Sequence, residues 1–243
     1  MNDTLSTSIR ARYQQTLALI AEAAIASGRA PAAVRLVVVS KSQSLEVIQA
    51  AIAAGVTVFG ENYAEEAVEK ITALQQSAVE WHMIGHVQSR KAALIAGNFT
   101  MLHSLDGSKL AGRLDRLCSE LTRTLPVLLE FNVSGEESKF GLPAWQEERW
   151  SDLQPEIEQI LALPHLRVDG LMTMPPFFDD PEKTRPYFQR LRRLQDFLAR
   201  RYPQVGWREL SMGTSSDFIA AVQEGATFVR VGQAILGPRT YNK

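Results

Sequence analysis

The chain has 243 residues, 45% of them hydrophobic and 22% charged, with 26 basic residues against 27 acidic ones. Length allows a single α/β barrel of roughly 250 residues or two average domains. The formal net charge of −1 excludes a protein built around a global basic field, so no nucleic-acid partner is expected. The longest purely aliphatic run, Leu36-Val37-Val38-Val39, falls far short of the roughly 18 residues of a spanning helix, so no membrane role is expected either. Met1-Asn2-Asp3-Thr4 lacks the basic-then-apolar pattern of a secretory signal. One cysteine, Cys118, excludes an internal disulfide and fits a reducing compartment; the chain reads as cytoplasmic. Cys118 falls between Leu114, Leu117 and Leu121 on a helical pattern, as a buried structural thiol does.

The first segment, within residues 1–30, reads as a helix flanking the rest: Tyr13, Leu17, Ile20 and Ala24 fall at helical spacing. Short apolar, β-branched runs follow, at Leu36–Ser40, Val56–Gly60, Val79–Gly85, Met101–Leu105, Pro126–Val133, Leu166–Met172, Trp207–Ser211 and Phe228–Gly232. Helical patterns begin near Ser44, Tyr63, Ser89, Ser108, Trp145, Pro181, Ser216 and Gln233. Ser44 and Ser108 suit N-caps, while Gly55 and Gly225 suit C-caps. The Arg-rich stretch Arg190–Arg201 carries Leu191, Leu194 and Leu198 at helical spacing and reads as an amphipathic helix.

Eight strands, each followed by a helix, match a single (β/α)8 TIM barrel with an extra N-terminal helix. An open doubly wound sheet usually has fewer strands. No Ser/Gly/Pro linker or charge block divides the chain, so residues 1–243 are expected to form one domain. Ala51–Phe59 echoes Ala221–Val229, each a helix end, a glycine and a strand; coincidence among small residues is the alternative to an internal repeat.

In such a barrel the active site lies at the C-terminal strand ends. Those ends are polar here: Ser40-Lys41, Glu61-Asn62, His82 with Gly85 and His86, Ser104, Asn132, Thr173, Ser211 and Arg230. Lys41 follows a buried strand. Loss of solvent lowers an amine's pKa, and an uncharged amine is what a Schiff base with an aldehyde requires. Position alone equally allows a lysine snorkelling to water. The loops after the last two strands, Ser211-Met212-Gly213-Thr214-Ser215-Ser216-Asp217 and Val229-Arg230-Val231-Gly232, supply glycines and hydroxyls where such barrels bind phosphate. An ordinary Ser/Gly turn with an N-cap is the alternative; it explains one of these loops comfortably and two at matching strands less well. His82 and His86 are four apart with Gly85 between them at a strand end, so they are not a helical metal pair, and no metal site is expected.

A Schiff-base lysine opposite a phosphate cup suggests pyridoxal 5′-phosphate (PLP). The sequence resembles the pyridoxal phosphate homeostasis proteins, the YggS-like family. The resemblance rests on Val37-Val38-Val39-Ser40-Lys41, Phe59-Gly60-Glu61-Asn62-Tyr63, Trp81-His82-Met83-Ile84-Gly85 with Gln88, and Ser138-Lys139-Phe140-Gly141. It continues through Gly170-Leu171-Met172-Thr173-Met174, Ser211-Met212-Gly213, Val229-Arg230-Val231-Gly232 and Ile235-Leu236-Gly237. It implies a barrel like the N-terminal domain of alanine racemase, with the cofactor on Lys41, Asn62 beside it, Arg230 at the pyridine nitrogen, and the Ser211–Ser215 loop with Gly232 on the phosphate. The expected cofactor-binding set is Lys41, Asn62, His82, Ser211, Gly213, Thr214, Ser215, Arg230 and Gly232, with no catalytic residue assigned. Thr214-Ser215 and Ser89-Arg90 depart from the family's usual Met-Ser and Asn-Lys. Lys139 is a second lysine matched by the resemblance, able to hold a transient aldimine; the alternative, which its place in Glu136-Glu137-Ser138-Lys139 favours, is a surface lysine.

The resemblance implies storage, buffering or delivery of PLP in vitamin B6 homeostasis by a monomer whose partners are the small-molecule cofactor and PLP-dependent apoenzymes. The alternatives are a PLP-dependent amino-acid racemase or decarboxylase, or an aldolase-like barrel enzyme acting on a phosphorylated sugar. An always-charged arginine at the ring nitrogen weakens the cofactor as an electron sink. Two-domain racemases take a second proton-transfer group from a further domain, for which a chain ending at Lys243 leaves no room. Racemase turnover is therefore not expected.

Overall fold

The computed structural model describes residues 3–75 and 78–238. Met1 and Asn2, used in reading the N-terminus, and Lys243, used in reading the chain's end, lie outside the described residues. The strands are β1 Arg35–Val39, β2 Val58–Glu61, β3 Glu80–Met83, β4 Met101–Leu105, β5 Leu125–Asn132, β6 Leu142–Pro143, β7 Leu166–Met172, β8 Glu209–Ser211 and β9 Phe228–Val231. All pairings are parallel, in the order β4-β3-β2-β1-β9-β8-β7-β5. Pairing of β4 with β5 closes the ring, and the two-residue β6 merely extends β5. The eight closing strands form the expected (β/α)8 barrel, buried on both faces, which is why strands such as β1 and β5 read as near-continuous apolar runs.

The helices are α1 Asp3–Ala26, α2 Leu45–Ala53, α3 Ala64–Leu74, α4 Ala92–Asn98, α5 Ser108–Glu120, α6 Gln154–Leu161, α7 Arg185–Arg201, α8 Phe218–Gln223 and α9 Gln233–Leu236. Helix α1 lies across α8, α2 and α9 and buries Ile9, Ile20, Ala23 and Ala24, while Tyr13 and Leu17 are half-buried. In α7, Leu191, Leu194 and Leu198 are fully buried, as their spacing predicts. Cys118 is buried in α5 and is a free thiol, its pKa raised by burial. Among the described residues no helix is long and apolar enough to cross a membrane.

The two echoing segments have the same conformation. Gly55 has φ +100° and Gly225 has φ +104°. In one, Gly55 N–H donates to Ile52 and Val56 N–H to Ala51; in the other, Gly225 donates to Val222 and Ala226 to Ala221. Each is a Schellman C-cap. Because the cap takes the amide of Val56, β2 starts at Val58 rather than at Val56. The hydroxyl of Ser44 caps α2 from Val47 N–H at 3.4 Å. Ser108, expected as a cap, is instead the first residue of α5, and its N–H donates to Glu156 Oε1 at 2.6 Å. A carboxylate 48 residues away takes the cap's place. The helical patterns at Ser89, Trp145 and Pro181 open as 3-10 turns, Ser89–Lys91, Glu147–Leu153 and Pro181–Thr184, that lead into α4, α6 and α7.

Two apolar regions result. The larger lies between barrel and helices; the smaller, Val37, Met101, Leu128, Met172 and Phe228 with Val58, comes from alternate strand positions and fills the barrel itself. Above this plug the strands' C-terminal ends open into a cavity of about 660 Å³.

Candidate functional site

Lys41 leaves β1 in a turn held from behind. Ser40 N–H pairs with Gly60 O at 3.0 Å and its hydroxyl donates to Glu61 Oε1 at 2.7 Å. The buried Lys70 ammonium of α3 donates to Ser40 O and Glu61 Oε1, both at 2.7 Å, and also to Glu66 Oε1. Glu66 in turn accepts from Ser42 N–H at 2.6 Å, across a residue with φ +57°. Burial pushes the Glu61 carboxyl up, and Lys70 opposes that push. The turn is fixed by charge-assisted bonds, and half-buried Lys41 lines the cavity.

Next to it on the wall is Asn62, whose Oδ1 is buried with no partner. Gly85 closes this wall: a Cβ there would stand 2.5 Å from the Asn62 carbonyl oxygen, so no larger residue fits. Glu130, at the end of β5, is 5% exposed and has an unpartnered Oε2. Burial first, and then Asp106, push its carboxyl up to about 7, against the pull of Arg230 and Lys139. Lys139 also lines the cavity, half-buried, and donates to Pro175 O at 3.3 Å, so it is not the simple surface lysine expected. His86 sits at the rim, paired with Asp106 at 3.0 Å and stacked on Phe140.

Arg230 of β9 forms part of the cavity floor and is 3% exposed. Its guanidinium donates to Ser211 Oγ, to Thr173 O at 2.9 Å and to Met174 Sδ at 2.9 Å. Burial pushes its pKa down to about 10, which leaves it charged at neutral pH. The loop after β8 turns at Gly213, φ +91°, where a Cβ would meet Ala221 Cβ at 2.5 Å. The Asp217 carboxylate takes both donors of Thr214, its N–H at 2.6 Å and its hydroxyl at 3.0 Å. Gly232 N–H donates to Ser215 Oγ at 3.5 Å, which brings an amide and a hydroxyl together on the cavity wall where an anion could compete for both.

Of the nine residues expected to form the site, Lys41, Asn62, Thr214, Ser215, Arg230 and Gly232 line one cavity. The other three support it. The Ser211 hydroxyl points inward to Arg230 and His103, Gly213 shapes its loop, and His82 is buried below the floor against His103. Of the other polar strand ends, Ser104, Asn132 and Thr173 bond to neighbouring backbone and tie loops. Glu130 and His103 were not singled out from sequence. Their one signal is an ionisable residue inside an otherwise apolar strand. Among the described residues no group of three His, Cys, Asp or Glu side chains is placed to hold a metal ion.

Residues 16–240 match the family model described as alanine racemase, N-terminal domain. The chain is 39% identical over 230 residues to the pyridoxal phosphate homeostasis protein of Aquifex aeolicus, covering 95% of this chain and 98% of the relative. PipY of Synechococcus elongatus PCC7942, solved with PLP bound, superposes with a TM-score of 0.77 at 35% identity, over 90% of this chain and 100% of PipY. The alanine racemase of Corynebacterium glutamicum shares the fold, with a TM-score of 0.66 at 19% identity over 96% of this chain and 60% of the racemase. The chain belongs to the pyridoxal phosphate homeostasis protein family, on the alanine racemase N-terminal-domain fold.

Proposed function

We propose that this chain binds PLP in the barrel-mouth cavity, attached through the Lys41 amine, and stores, buffers or delivers it within the cytoplasm as a one-domain monomer spanning residues 1–243. The observation that carries this reading is the convergence of three unlike groups on one cavity: an amine (Lys41), a buried cation (Arg230), and a hydroxyl–amide pair (Ser215 with Gly232). PLP presents an aldehyde, a ring nitrogen and a phosphate, and the donor set fits all three. The unpartnered Asn62 Oδ1 and Glu130 Oε2 leave buried polar capacity for a ligand's own polar groups.

When bound, PLP supplies an electrophilic aldehyde carbon conjugated to an electron-accepting ring. The protein's part is to hold it. The clamp of Lys70, Glu61 and Glu66 orients the turn that carries Lys41. Arg230, charged at neutral pH, offers hydrogen bonds but no transferable proton to a ring nitrogen. Ser215 and Gly232 give the phosphate a hydroxyl and an amide. PLP-dependent apoenzymes are the proposed recipients.

The test compares PLP with pyridoxal, which lacks the phosphate. Charge-assisted hydrogen bonds contribute about 1.5–3 kcal/mol each, so losing two should weaken binding at least about 100-fold. Titration followed by the cofactor's visible absorption should show that difference, reduced in Ser215→Ala. Equal dissociation constants for the two aldehydes would remove the phosphate role from these loops.

A further inference from the structure

A single file of polar side chains crosses the barrel from the cavity floor to the opposite end. Arg230 donates through Nη1 to Ser211 Oγ. Ser211 Oγ lies 2.8 Å from His103 Nδ1, His103 Nε2 lies 3.0 Å from His82 Nδ1, and His82 Nε2 lies 3.3 Å from Glu80 Oε2. Ser211 and His103 are 0% exposed and His82 is 1% exposed. The Glu80 side chain, at the N-terminal end of β3, is 54% exposed.

The chemistry of the first member sets the direction of the rest. Arginine carries donors only. Ser211 therefore accepts from Arg230, and the arrangement that also pairs its one buried proton donates it to His103 Nδ1, a lone-pair nitrogen. A neutral His103 then carries its proton on Nε2 and donates to His82 Nδ1. His82 likewise carries its proton on Nε2 and donates to Glu80, a carboxylate. Adding a proton to either ring breaks the sequence. A proton on His103 Nδ1 would take the acceptor away from the buried Ser211 proton and place a second cation near Arg230. A proton on His82 Nδ1 would confront the N–H of His103.

At His103 the cations Arg230 and Arg35 favour the same state; at His82 Arg35 does too, while Glu80 and Glu209 pull the other way. Arg230 stands at one end; at the other, Arg35 of β1 is paired with Glu209 of β8 at 2.8 Å and lies 3.9 Å from the Phe228 ring centroid. Phe228 packs edge-on to His82 and tilted against His103. Burial lowers the pKa of both rings, against the pull of Glu80 and Glu209 at His82, in the direction that the donor order of the file requires.

We infer that His82 and His103 are positioning residues: with Ser211 they form a one-way donor relay that seats the Arg230 guanidinium under the cavity and ends on the exposed carboxylate of Glu80. The relay explains why three polar residues occupy an interior that Val37, Met101, Leu128 and Met172 otherwise fill. It keeps the Ser211 proton out of the cavity, so Ser211 serves the ligand only through Arg230. Where the relay bears on the cofactor, it rests on the PLP reading above; the relay itself does not.

Long-range nitrogen–proton correlation spectra of the histidine-labelled, ligand-free protein read the tautomers directly. Both His82 and His103 should appear as neutral Nε2–H forms, unchanged from mildly alkaline to mildly acidic pH. An Nδ1–H tautomer or an imidazolium at either ring would overturn the relay. The positioning role is read in the PLP-loaded protein. His103→Phe should shift the absorption maximum of the bound cofactor, while His103→Gln, whose amide can both accept and donate, should restore it. An unshifted band in a folded His103→Phe variant would overturn the role. Failure of the wild-type protein to form any band would contradict the PLP reading instead, and the tautomers would still decide the relay.

Discussion

Glu130 shows how burial sets a measurable pH dependence at one residue. Its carboxyl releases a proton near 4.5 when exposed but is pushed up to about 7 in the folded protein. Between those values the folded state binds the extra proton, so this residue's contribution to stability is full below the lower value and is lost as pH rises through about 7. The loss is on the order of 3 kcal/mol for a shift of this size. Urea unfolding of ligand-free Glu130→Gln should therefore show a variant more stable than the parent at pH 8, by up to about 3 kcal/mol, with the difference gone near pH 4. A variant equally stable or less stable at pH 8 would mean that Glu130 is solvated or paired. Thr214 carries a different lesson. Its hydroxyl suggests a phosphate ligand, yet Asp217, three residues on, takes both its donors. A serine- and threonine-rich loop announces donors; which of them face a ligand depends on the carboxylate that folds back among them.

Among the elements, α3 does the most to prepare the site, because Lys70 and Glu66 reach from it to the turn that carries Lys41. Lys70 is 4% exposed and Glu61 0%. Removing one partner of a buried ion pair leaves the other charge uncompensated, typically at about 3–5 kcal/mol. Lys70→Ala should lower unfolding free energy by that order, and Lys70→Met with Glu61→Gln should recover most of it. A loss below about 1 kcal/mol would mean that the cluster does not hold the turn. Period and turn residues made the elements themselves legible: apolar runs marked all eight barrel strands, and Gly55 and Gly225 marked two helix ends. What stayed hidden came from distant partners. Glu156 caps α5 in place of Ser108, and the inward register that aligns His82, His103 and Glu130 is set by closure of the ring, which no local window contains.

The whole barrel divides its labour along its axis. The N-terminal end carries the Arg35–Glu209 pair and Glu80, the middle is plugged by apolar side chains crossed by one polar file, and the C-terminal end gathers the proposed ligand groups around the cavity. That division places the polar strand ends around a single mouth. Lys41, Asn62, Ser215, Arg230 and Gly232 meet in one cavity although they are spread over nearly the whole sequence. Residues that merely tie loops, such as Asn132 and Ser104, look the same in sequence and are separated only by where their hydrogen bonds go. Lys41 is the proposed attachment point for PLP. Its most direct measurement is borohydride reduction of the PLP-loaded protein followed by peptide mass mapping. The pyridoxyl group should be found on Lys41 and be lost in Lys41→Ala. A label carried mainly by Lys139, with Lys41 unmodified, would contradict that attachment.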